Sequence, residues 1–246
     1  MSADEIATVE PALHGQYYGG FFTASDSTGD IHKFTRGLAA ACAKRGVRFV
    51  YGADADIAKV QPTGVTLTWP VDGETHRLRA DALVICGGCE SRRLAAKAGD
   101  RINIYPVKGY SITVSLNDNV SRDAAPWVSL LDDQAKIVTS RLGEERFRVA
   151  GTAEINGFNQ DIRADRIRPL VEWVHRHFPD VATDAVVPWS GLRPMMPNMM
   201  PKVAQGRHAR VFYNTGHGHL GWTLSAGTAE LVADVIATRQ YLSSAC

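Results

Sequence analysis

Four short stretches carry residue types that could do chemistry. Asn214-Thr215-Gly216-His217-Gly218-His219-Leu220-Gly221-Trp222-Thr223 follows an apolar run and opens a helical pattern. Its three glycines let backbone approach a ligand closely, and a helix N-terminus offers N–H groups and positive potential. That suits a phosphate, a carboxylate or the negative edge of a reduced flavin. It equally suits a strand–helix turn that needs glycine for its own geometry. Trp189-Ser190-Gly191-Leu192-Arg193-Pro194 sets an arginine on an irregular, stiff segment. A guanidinium there is a bidentate fork for a carboxylate, although most single arginines are solvated. Tyr105-Pro106-Val107-Lys108-Gly109-Tyr110 places a cation and a phenol around a glycine, with a strand bulge as the competing explanation. Val84-Ile85-Cys86-Gly87-Gly88-Cys89-Glu90-Ser91 ends an apolar run in paired glycines. Such an edge binds ligands in many α/β sheets, and is also a plain β–α turn.

Other chemistries find no support. Cys86 and Cys89 match C-x-x-C, but no second C-x-x-C or C-x-x-H completes a metal site. Both are expected as small residues packed at a strand end. No G-x-S-x-G or P-loop occurs. His175 and His177 sit two apart on a helical pattern and face different directions, which makes them poor joint ligands. A formal net charge of +1 leaves no electrostatic footprint for nucleic acid. Cys42, Cys86, Cys89 and Cys246 show no disulfide-scaffold spacing, which suits a reducing compartment. The acidic start is no secretory signal, and no run of about 18 apolar residues exists to span a membrane. The expected location is cytoplasmic, or peripheral on the inner membrane.

The surrounding pattern supplies the scaffold. Asp30 reads as the N-cap of a helix over Ile31–Arg45 that stops at Gly46. Val47–Tyr51 then reads as a short buried strand. A small antiparallel meander is expected between Ala55 and Arg79, with turns at Pro62-Thr63-Gly64 and Asp72-Gly73. Ala82–Ile85 reads as the next buried strand. Antiparallel sheet is expected over residues 101–156, with strands Ile102–Leu116, Trp127–Leu131, Lys136–Arg141 and Arg146–Ala153. A helix over 161–178 stops at Pro179, and the strand Val211–Asn214 leads through the glycine turn to a helix from about Trp222 to Ala237. A chain that leaves an α/β sheet, builds an antiparallel layer and returns predicts two interleaved domains.

In this order the four stretches resemble the D-amino-acid oxidase and dehydrogenase family of flavoproteins, most of all the bacterial D-amino-acid dehydrogenase small-subunit type. The most specific pieces are Tyr105–Ser111, Gly191-Leu192-Arg193-Pro194-Met195, Asn214–Gly218 and Leu220–Thr223. The resemblance runs from Glu10 to about Ile236, nearly the whole chain. It implies a mixed α/β (α+β) fold, the C-terminal part of a Rossmann-like FAD-binding domain interleaved with an antiparallel-sheet substrate domain. Residues 1–100 and 191–246 would be the FAD-binding segments, and 101–190 the substrate domain.

The implied activity is FAD-dependent oxidative deamination of D-amino acids to 2-oxo acids and ammonia, with a quinone or respiratory carrier as acceptor. By resemblance, Arg193 clamps the substrate carboxylate and Tyr110 joins it in the catalytic set. Cys86, Gly87 and Gly88 lie where the family chain passes the dinucleotide. Gly216, His217, Gly218, Leu220, Gly221, Trp222 and Thr223 lie where its strand–helix turn meets the flavin ring and ribityl chain. No metal is implied.

The sequence departs from the family in three places. No strand–G-x-G-x-x-G–helix occurs near the N-terminus, Asn198-Met199 replaces the family's usual Asp-Gly after Pro197, and cysteines stand at 86 and 89. The first departure predicts weak FAD binding by this chain alone. It also leaves open a non-catalytic fragment, or a subunit that needs a partner polypeptide or self-associates through an uncovered sheet edge. A thiol redox protein using Cys86 and Cys89 is disfavoured, because the βαβ context of such motifs is missing.

Overall fold

The computed structural model describes residues 1–244, so Cys246 lies outside the described residues. The chain forms two compact units, one from residues 1–39 and 108–192, the other from 40–107 and 193–246. Residues 1–39 thus group with the antiparallel segments, which differs from the expected grouping of 1–100.

The first unit is an antiparallel sheet backed by a helix. Its strands are β5 (Tyr105–Ser115), β6 (Leu131–Asp132), β7 (Ile137–Arg141), β8 (Arg146–Ile155) and β9 (Val186–Met195), in the order β6-β7-β8-β5-β9. Alternation sends Tyr110, Ile112, Val114, Phe147 and Val149 into one core with Leu170, Trp173 and Val174 of helix α5 (Ala164–His177). Helix α1 (Ala3–Val9) starts with a Ser2–Glu5 capping box. Glu10, just beyond it, is buried and accepts the Trp127 and Val128 amides at 2.8 and 2.9 Å. Those bonds correct the expected strand over Trp127–Leu131: the amides are taken by a carboxylate, and pairing begins only at Leu131. Helix α4 (Asn119–Ala124), capped by Asp118, was not legible in the hydrophobic pattern. The Gly191-Leu192-Arg193-Pro194 segment lies within strand β9, which corrects its reading as irregular.

The second unit holds two small sheets. The meander β1 (Asp56–Gln61), β2 (Gly64–Val71) and β3 (Glu74–Ala80) is antiparallel, as expected. The other sheet has the order β10-β11-β4, from β4 (Leu83–Ile85), β10 (Lys202–Gln205) and β11 (Val211–Thr215). Helix α3 (Ser91–Lys97) follows β4, and α6 (Gly221–Ser244) packs on β10 and β11. Ile57, Val65, Ile85, Ala95, Ile104 and Tyr213 are among the residues of this core.

Helix α2 (Ile31–Lys44) is capped as expected: Asp30 Oδ1 accepts the His32 and Lys33 amides, each at 3.1 Å. None of its residues is buried. Val47–Tyr51 forms no strand, and Val47, Phe49, Val50 and Tyr51 are exposed. That corrects the expected buried strand. An apolar run becomes a strand only when a neighbour takes its backbone N–H and C=O groups. Among the described residues, no helix is long and apolar enough to cross a membrane.

Candidate functional site

The parallel pairing of β4 with β11 puts their carboxyl ends side by side. Ile85 lies opposite Tyr213, so Cys86-Gly87-Gly88 and Asn214-Thr215-Gly216 leave the sheet together. Ser91 Oγ and Thr215 Oγ1 are 2.7 Å apart in the interior, which ties the start of α3 to the end of β11. The carboxyl edge of parallel strands is where α/β folds hold ligands.

Glycine is required at two points of this edge. Gly216 has φ +77° and Gly218 φ +59°, a region that side chains rarely adopt. A Cβ on Gly216 would lie 2.7 Å from Met196 Cγ, and one on Gly218 would lie 2.7 Å from Met195 Sδ. The Gly218 amide also donates to the Pro194 carbonyl at 3.0 Å. The segment that follows Arg193 is therefore seated on the glycine turn. Arg193 itself is half-buried, and burial pulls its pKa below the usual arginine value. His217 folds back on α6, with Nε2 3.0 Å from Thr228 Oγ1, and burial lowers its pKa. Leu220 and Trp222 remain exposed at the start of α6, and Gly221 and Thr223 share its first turn, which holds no acidic residue.

Cys86 is an exposed residue and Cys89 a half-buried one, which corrects the expectation that both are packed away. Partial desolvation raises both thiol pKa values, and at Cys89 the Glu90 charge adds to the effect. Neither thiol is activated as a nucleophile.

Tyr110 belongs to the antiparallel unit and is 1% exposed. Its hydroxyl donates to Glu154 Oε2 at 2.7 Å. The fully buried Lys108 ammonium donates to Asn159 Oδ1 at 2.9 Å and to the Asp161 carbonyl at 3.1 Å. The Tyr110 hydrogen bond comes first among the causes that hold the Glu154 carboxyl below the usual range, with the Lys108 charge contributing. Both groups that looked chemical in the sequence are thus members of a satisfied internal network.

The sequence placed Asn214 in the glycine stretch without giving its side chain a role, and it did not show the Ser91–Thr215 contact. Asn214 Oδ1 is buried without a hydrogen-bond partner, beside the glycine turn. A buried acceptor left unmet costs about 1–3 kcal/mol, so this atom calls for a donor. The only signal was an asparagine at the end of an apolar strand. An orphan acceptor, two strand ends, close-approach glycines and the first turn of α6 together fit the flavin end of an FAD. The strand–glycine-turn–helix that would take the pyrophosphate is not among the described residues.

The family model described as FAD dependent oxidoreductase matches residues 1–235. D-amino acid dehydrogenase 3 of Mesorhizobium japonicum is 60% identical over 239 residues, which is 97% of this chain and 58% of that protein. The D-amino acid dehydrogenase of Paramagnetospirillum magneticum is 40% identical over 96% of this chain and 55% of its own length. The chain therefore spans a little over half the length of these curated relatives. Among solved structures, glycine oxidase from Geobacillus kaustophilus superposes with a TM-score of 0.82 at 22% identity, over 97% of this chain and 62% of that one. That likeness shows the shared fold. By the family match over residues 1–235, the chain belongs to the FAD dependent oxidoreductase family.

Proposed function

We propose that this chain works as an FAD-dependent D-amino-acid dehydrogenase: a D-amino acid and water give a 2-oxo acid and ammonia, and two electrons and two protons pass to an acceptor. The D-amino acid dehydrogenases of 60% and 40% identity support the substrate class. The observation that carries the reading is the Gly218–Pro194 hydrogen bond, which holds the Arg193 segment on the turn that fits a flavin.

Bound FAD supplies the two-electron acceptor. The Arg193 guanidinium binds the substrate carboxylate through its fork and fixes Cα by position. Partial burial strengthens that ion pair, since less water competes for the charge. Gly216 and Gly218 would admit the cofactor close to backbone, and the first turn of α6 would set positive potential beside it. Asn214 Oδ1, buried without a partner, would accept a hydrogen bond from the cofactor when it is bound. No side chain is needed as a base, because the neutral amine form of the substrate releases hydride directly. A quinone or respiratory carrier then removes the electrons. The test is anaerobic reduction of a soluble quinone by the FAD-loaded protein, with a D-amino acid and its L isomer compared. D-specific quinone reduction with release of the 2-oxo acid is expected; equal rates with both isomers, or none, would sink the reading.

A specific observation favours a covering polypeptide in addition. Ile31, Phe34 and Leu38 of α2 are each about half exposed, and the exposed Val47, Phe49, Val50 and Tyr51 follow. Such a run marks a surface that another chain or a second copy covers. Light scattering on dilution tests this, and a strictly monomeric particle at all concentrations would contradict it.

A further inference from the structure

His217 is fixed in place by the glycine turn and in one tautomer by its ring contact. Gly216 and Gly218 on either side of it have φ +77° and +59°. Its Nε2 lies 3.0 Å from Thr228 Oγ1 on α6. Thr228 is buried, and its hydroxyl has a single proton. That proton is donated back along the helix, to the Leu224 carbonyl at 2.9 Å with the Ser225 carbonyl at 3.3 Å. Thr228 Oγ1 therefore offers His217 only lone pairs, and the hydrogen between them belongs to Nε2. Burial lowers the His217 pKa from the ordinary 6.5. Near neutral pH the ring is thus the uncharged Nε2–H tautomer, with a lone pair on Nδ1. Among the described residues no donor reaches Nδ1.

Nδ1 is bonded to Cγ, so it stays close to the backbone of the turn while Nε2 reaches α6. The chain from Arg193 runs along this same turn. The Pro194 carbonyl accepts the Gly218 amide at 3.0 Å, and Met195 and Met196 lie where a Cβ on Gly218 and on Gly216 would fall. Arg193, the turn and α6 belong to one compact unit. An α-amino acid carries its amine on the carbon next to its carboxylate. A substrate clamped by Arg193 therefore needs an N–H acceptor close by. A carboxylate in that role would hold the amine as ammonium, the form that does not release hydride. A neutral imidazole nitrogen accepts the N–H without adding a negative charge. The first turn of α6 holds no acidic residue that would compete for the amine.

We propose that His217 Nδ1 accepts a hydrogen bond from the substrate amine, so that Arg193 and His217 hold the amino acid at two points. This rests on the D-amino-acid reading above. The backbone of the turn serves the flavin, and the imidazole serves the substrate.

The experiment compares FAD-loaded wild type, His217→Phe and His217→Asn, with thermal melts to confirm folding. Phenylalanine removes both ring nitrogens, and asparagine restores an acceptor oxygen where Nδ1 stood. Two quantities are measured: kcat/KM for D-alanine, and the Kd of propanoate, which has the carboxylate and no amine, from the change in flavin absorbance. Expected are a fall of about 10- to 100-fold in kcat/KM for His217→Phe, recovery to within a few-fold of wild type in His217→Asn, and an unchanged propanoate Kd throughout. An unchanged kcat/KM in a folded His217→Phe protein, or propanoate binding lost in step with kcat/KM, would overturn the proposal and leave the D-amino-acid reading standing. Nitrogen-15 NMR of wild type at neutral pH adds a readout that needs neither turnover nor a folded variant. A proton on Nε2 and none on Nδ1 is expected, and a proton on Nδ1 would overturn the proposal. If wild type oxidises no D-amino acid, the D-amino-acid reading fails and the amine contact with it.

Discussion

The Gly218 amide and the Pro194 carbonyl, 24 residues apart in sequence, share a 3.0 Å hydrogen bond that fastens the arginine-bearing strand to the glycine turn. Gly218→Ala attacks that junction twice. It forces a side chain into φ +59° and sets its Cβ 2.7 Å from Met195 Sδ. The backbone strain alone is about 1–3 kcal/mol. Weaker FAD binding by fluorescence titration is expected, together with a lower melting temperature. Unaltered affinity and stability would show that the turn does not need glycine.

Arg193→Lys keeps the charge and loses the planar fork. Its kcat/KM is expected to fall about 100-fold, with FAD still bound. Steady-state kinetics on the FAD-loaded variant decide this. A value equal to wild type would take Arg193 out of substrate binding.

Tyr110→Phe removes the hydroxyl that donates to Glu154 at 2.7 Å inside the antiparallel unit. The melting temperature should drop by a few degrees. The kcat/KM loss should be far smaller than that of Arg193→Lys. The reverse ranking would put Tyr110 at the reacting substrate.

His177 makes stability depend on pH. Burial lowers its pKa from the ordinary 6.5, and Nδ1 lies 2.7 Å from the Tyr17 hydroxyl. The unfolded chain therefore takes up the proton first as pH falls. Its contribution is present above about pH 6.5 and is lost as pH drops through the lower folded value. Denaturant midpoints should decline across that window in wild type. His177→Gln should decline less, and an identical slope in both proteins would exclude His177 as the cause.

Much of the scaffold was legible because local rules decide it. Asp30 and Gly46 bracket α2, and Pro62-Thr63-Gly64 and Asp72-Gly73 turn the meander. The glycine turn and Arg193 were also legible as residues. Their junction was not, because a bond between Gly218 and Pro194 depends on how distant segments pack. Val47–Tyr51 misled because apolar composition does not supply a pairing neighbour. Trp127–Leu131 misled because the Glu10 carboxylate captures amides that a strand would have used.

The most direct measurement of the central claim is anaerobic titration of the FAD-loaded protein with D- and L-amino acids, followed by the absorbance of oxidised flavin. D-amino acids should bleach it stoichiometrically, while L isomers leave it oxidised and Arg193→Lys slows the bleaching. FAD that stays bound and oxidised in the presence of every D-amino acid would contradict the assignment.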